Sequence, residues 1–104
     1  MTKTSLKINH IKIENLYKSM FSEVSNTSIN LKDDRLEITH LDNNNQDPAI
    51  IDLQETKQGY VINYWDGYSL SETEETIDLI KALKIYKRYA KKMAKNLKRY
   101  SDHI

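Results

Sequence analysis

The residues that most often carry catalysis are few here and stand apart. His10, His40 and His103 each lack a second residue at metal-ligand or triad spacing. No serine sits in a nucleophile-elbow context, and the two glycines occupy turn positions, too few to build a phosphate cradle. The absence of cysteine excludes disulfides, thiol chemistry and cysteine-ligated zinc or iron–sulfur centres. Carboxylates are frequent, but an acid–base pair needs convergence that spacing alone does not supply. The expectation is a protein that is not an enzyme and uses no cofactor or metal.

What does stand out is a cationic row. Lys81, Lys84, Lys87, Arg88, Lys91, Lys92, Lys95, Lys98 and Arg99 recur at three–four spacing. On a helix at 100° per residue they fall within an arc of about 140°. Such a rigid row can neutralise a nucleic-acid backbone and release its counterions. The same row is also what a solvated helix face, or a face set against an acidic partner, looks like. Lysine outnumbers arginine, which favours point-charge phosphate contact over base readout by the arginine fork.

The net charge of +1 conceals a polarity. Residues 1–80 hold 7 Lys and Arg against 14 Asp and Glu, whereas residues 81–104 hold 9 against one. Either the two parts neutralise each other or each meets its own partner. Asp33, Asp34, Glu37, Asp42 and Asp47, with Asp52 and Glu55, form an acidic set that could imitate a phosphate row in another protein's basic groove; the plainer role is solubility.

Seven tyrosines and one tryptophan are many for 104 residues. Tyr64, Trp65 and Tyr68 cluster and are the expected aromatic anchors of a protein interface. Core and rim packing is the better explanation of strand aromatics, with stacking on bases as an alternative.

The elements that must position these residues follow from periodicity. Ile13, Leu16, Tyr17, Met20, Phe21 and Val24 mark a helix over about 9–24, with Asn9 at its N-cap. Alternating patterns predict strands over about 27–32, 35–41, 49–56 and 60–65, with Asp33-Asp34 as a hairpin turn and the polar stretch from Asp42 to Pro48 as a loop. A long helix is then predicted over about 72–100, opened by a capping box, Ser69-x-x-Glu72 or Ser71-x-x-Glu74. Its apolar residues Leu79, Leu83, Tyr86, Ala90, Met93, Leu97 and Tyr100 form a heptad-like seam. Around Ile77–Ile85 it is apolar nearly all round, so burial is expected there, and a bend near Lys81–Lys84 would fit. The seam either docks on the sheet and the first helix or, because a helix so long should overhang a small domain, leaves Met93, Leu97 and Tyr100 exposed for a partner helix or a homodimer.

The expected fold is therefore α+β in a single domain, 1–104: an N-terminal helix, a four-stranded antiparallel β-meander and a long C-terminal amphipathic helix. Met1 to Lys7 lack the apolar run of a signal peptide, and no stretch approaches the ~20 apolar residues of a membrane span, so a cytoplasmic protein that does not bind membrane is expected. Abundant Lys, Asn and Ile suit an AT-rich genome, such as that of a low-GC bacterium or its phages. The functional expectation is a small non-catalytic regulator or inhibitor acting on a host nucleic-acid-handling protein or nucleoprotein, of the anti-CRISPR type for example. The alternatives are a direct DNA- or RNA-binding regulator using the basic helix, and a structural homo-oligomer built on the seam.

Overall fold

The computed structural model describes residues 9–22, 24, 26–40, 48–67 and 71–102, the last five without their side chains. Helix α1 (His10–Met20) is followed by strands β1 (Thr27–Leu31), β2 (Arg35–His40), β3 (Ile50–Thr56), β4 (Gly59–Trp65) and β5 (Ser71–Thr76), and then by helix α2 (Leu79–Asp102). The strands form one antiparallel sheet in the order β1-β2-β3-β4-β5. The fold is thus α+β, with five strands where four were expected.

Strand alternation sorts the sheet into two faces. On one face lie Leu36 and Ile38 of β2, Ile51 and Leu53 of β3, and Ile62 and Tyr64 of β4, all buried. The register stacks them in rows, Leu36 against Leu53 against Ile62 and Ile38 against Ile51 against Tyr64. Helix α2 lies across β3, β4 and β5 on this face, and α1 packs against β1 and α2. Ile13, Phe21 and Val24 bring the N-terminal segment into the same core. Tyr17 stacks on Phe21 with centroids 5.2 Å apart, and its hydroxyl bonds Thr27 Oγ1 at 2.8 Å, fixing α1 to the start of β1. Asn9 holds the N-cap position of α1 without a side-chain cap bond.

The main correction concerns Ser71–Thr76. Acidic residues behind a capping serine signal a helix start, yet the same six residues alternate in exposure and form an edge strand. They contain no apolar residue whose burial could draw a helical turn onto the core. Strand β4 also needs a neighbour for its backbone groups. β5 supplies it in a register running from Tyr60 opposite Thr76 to Trp65 opposite Ser71. A charged edge strand also resists pairing with other chains.

Consequently α2 begins at Leu79. Asp78 is the cap: its Oδ1 accepts the Ile80 amide at 2.9 Å and its carbonyl accepts the Ala82 amide at 2.9 Å. Thr76 Oγ1 accepts the Asp78 amide at 3.1 Å, which joins strand end to helix start. The helix is continuous through Lys81–Lys84. The late start changes which residues are covered. Ile77, in the connection, is 86% exposed and Ile80 66%, against the expectation of burial there. Met93 and Leu97, expected to project, are buried at 1% and 9%. Because the helix starts on the sheet edge and crosses the sheet, Leu79, Ala82, Tyr86, Tyr89, Ala90, Met93, Ala94 and Leu97 all face inward. No described helix is long and apolar enough to cross a membrane.

Candidate nucleic-acid interface on the C-terminal helix

The alternation that buries Tyr64 also directs Glu72 and Glu74 of β5 toward α2, because Glu72 lies opposite Tyr64 and Glu74 opposite Ile62. There they meet two of the helix cations. Lys92 Nζ donates to Glu72 Oε2 at 2.9 Å, and Arg88 pairs with Glu74. Tyr89, one residue on from Arg88 and turned inward, donates its hydroxyl to Glu74 Oε2 at 3.0 Å. The Arg88 guanidinium lies 5.4 Å from the centroid of the Tyr89 ring, within cation–π range. Tyr89 in turn stacks on Tyr64 with centroids 5.7 Å apart, and Asn96 Nδ2 donates to the Tyr64 hydroxyl at 3.3 Å. Burial, and then the Glu74 carboxylate, push the Tyr89 phenol up to about 12. Burial likewise raises Tyr64.

The rest of the cationic row behaves differently. Lys84, Lys87, Lys91 and Lys95 are exposed and form no ion pair with a described residue. Lys81, at the helix start, is exposed as well. The side chains of Lys98, Arg99 and Tyr100 lie outside the described set. The stripe is therefore split lengthwise: a flank against β5 that is neutralised, and an outward file that is not. The division follows from Glu72 and Glu74 lying on β5 and not on the helix.

On the opposite face of the sheet a polar network crosses four strands. Arg35 donates to Asp52 Oδ2 at 2.7 Å and approaches Glu37 Oε1 at 3.3 Å; Asn63 Nδ2 donates to Asp52 Oδ1 at 2.8 Å; Thr73 Oγ1 donates to Asn63 Oδ1 at 2.8 Å. These positions follow from the outward phase of each strand, but the partners depend on register. The hydrogen bond from Arg35 to Asp52, with Glu37 close by, raises the guanidinium pKa despite partial desolvation. No described helix packs on this face.

The remaining expected residues fall as follows. Asp33 and Asp34 are exposed on the β1–β2 hairpin, and Glu37 is half-buried beside Arg35. Tyr64, expected at an interface, is 1% exposed and belongs to the core, as do Met93 and Leu97. Trp65 is half-buried on the outer sheet face. Tyr68, Asp42 and Asp47 lie outside the described residues. An open groove of about 400 Å³ runs beside the β3–β4 hairpin, lined by Thr56, Gln58, Tyr60, Glu75 and Ile77. It contains one carboxylate and no opposed base, so it offers no acid–base pair. Among the described residues no three His, Cys, Asp or Glu are grouped to hold a metal ion. Among the described residues, the arrangement with clear chemical capacity is thus the outward lysine file, which can bind polyanions. Comparison with protein-family models, curated proteins and solved structures found no match for the chain.

Proposed function

We propose that this is a non-catalytic binding protein that presents the outer face of α2 to a polyanion, nucleic acid or a nucleoprotein in the cytoplasm. The observation that carries the reading is the file Lys84, Lys87, Lys91 and Lys95, exposed on a helix whose inner face is anchored to the sheet. Anchoring matters because cations on a rigid element lose little freedom on binding, whereas a floppy basic segment must be ordered first. Reversing Lys87 and Lys91 to Glu is expected to abolish gel-shift binding to DNA or RNA at low ionic strength. Undiminished binding by that variant, or none by the parent protein, removes the reading.

A second reading is favoured by the opposite charge elsewhere on the molecule. Asp33 and Asp34 on the hairpin, with Glu75 on the outer sheet face, could occupy a basic groove of a nucleic-acid-handling protein. A phage or mobile-element inhibitor, for instance of the anti-CRISPR type, would work this way. It predicts a stoichiometric, salt-sensitive complex that Asp33→Lys with Asp34→Lys destroys and Lys87→Glu with Lys91→Glu does not. A complex with the reverse sensitivity returns the argument to α2.

A further inference from the structure

We infer that the partner of α2 is a sugar–phosphate strand contacted without regard to sequence, and that Glu72 and Glu74 form a carboxylate border withholding Arg88 and Lys92 from it. This rests on the proposed binding role of α2 and specifies its footprint.

The free lysines are a single file. Lys84, Lys87, Lys91 and Lys95 span twelve residues, or about 16 Å of helix, within an arc of about 80°. One strand of duplex DNA places a phosphate every ~3.4 Å along its axis while winding about it, so the straight file faces only a few phosphates before the strand turns away. The sheet covers the inner half of α2, so the helix cannot sink into a major groove as a free recognition helix does. It lies along the backbone instead. The flanking cations are the ones that would widen the contact. Arg88 carries the only described guanidinium on α2 and so the only described fork there able to read a base edge or clamp a phosphate bidentately. It is paired with Glu74 and placed beside the Tyr89 ring, while Tyr89 itself bonds Glu74. Lys92 is held by Glu72. Glu74 therefore takes up one amino group of this exposed fork, and the free file is left as point charges, the chemistry of sequence-independent phosphate contact.

The test is the salt dependence of binding to short labelled DNA duplexes of unrelated sequence, read by fluorescence anisotropy. The parent protein is expected to bind them alike. E72Q with E74Q frees two cations while keeping an acceptor for Tyr89. It should bind about tenfold tighter at low salt, with a log Kd against log salt slope steeper by about 1.8, two contacts at about 0.9 each. E75Q with D34N removes two charges away from α2 and should leave the slope unchanged. E72Q/E74Q/R88Q/K92Q, which removes both ion pairs without changing the net charge, should shift Kd by less than about twofold, while K87Q with K91Q should weaken binding by about tenfold or more. The inference is overturned if E72Q/E74Q matches the E75Q/D34N control, or if the fourfold variant weakens binding as much as K87Q/K91Q. In either case binding lost in K87Q/K91Q keeps the broader reading of α2 intact. Absence of binding by the parent protein removes both.

Discussion

The hydroxyl of Tyr89 donates to the carboxylate of Glu74 at 3.0 Å, which ties the edge strand β5 to the helix that crosses the sheet. The bond has a pH signature. Folding raises the Tyr89 phenol from 10.0 to about 12, chiefly by burial and then through Glu74. A raised pKa means that the folded protein retains a proton the unfolded chain has lost. The contribution is therefore complete below pH 10 and disappears as pH climbs through about 12. Urea unfolding across that window should show stability falling with pH, and Tyr89→Phe should flatten the fall. At neutral pH the same substitution should cost about 1 kcal/mol, the net worth of one hydrogen bond.

Tyr86 predicts the opposite sign. Its ring is 1% exposed on the inner face of α2, and its hydroxyl has no hydrogen-bond partner among the described residues. Burial drives its pKa strongly upward. An unsatisfied buried hydroxyl has lost its water without compensation. Tyr86→Phe should accordingly be neutral or stabilising by up to about 1 kcal/mol in chemical denaturation, whereas Tyr86→Ala should cost about 3–5 kcal/mol through the cavity it leaves.

Gly59 ends the β3–β4 hairpin with φ at +147°, and a Cβ there would lie 2.6 Å from the Thr76 carbonyl oxygen. Both the backbone conformation and the close approach of the β5 end exclude a side chain. Gly59→Ala should destabilise by about 1–3 kcal/mol, and backbone amide exchange should rise first in β5.

Met93 and Lys91 sit two residues apart on α2 and should respond in contrasting ways. Met93 is 1% exposed, so Met93→Ala should cost about 2–5 kcal/mol in unfolding experiments. Lys91 is exposed, and Lys91→Ala should change stability by no more than about 0.5 kcal/mol. Because the described part of the α2 seam is covered by the sheet, sedimentation should report a monomer at tens of micromolar.

The sequence by itself determined the elements whose pattern matches one period. The three–four spacing from Ile13 to Met20 and from Leu79 to Leu97 could only place one apolar face of a helix inward. Alternation in the first four strands likewise chose which residues enter the core. It also determined that positive charge gathers on α2, since that follows from residue identity and helical pitch. It did not determine the state of Ser71–Thr76. Capping serine, acidic residues and threonines are compatible with a helix start and with a polar edge strand, and local preference differs little between them. The tertiary structure decided it, because β4 required a pairing partner and α2 placed Arg88 and Lys92 where alternate carboxylates of a strand could reach them. The same decision shortened the helix, buried Met93 and Leu97, exposed Ile77 and Ile80, and divided one basic stripe into a neutralised flank and a free file. Those outcomes depend on which segments lie beside one another, and such proximity arises only when the sheet and helix pack together.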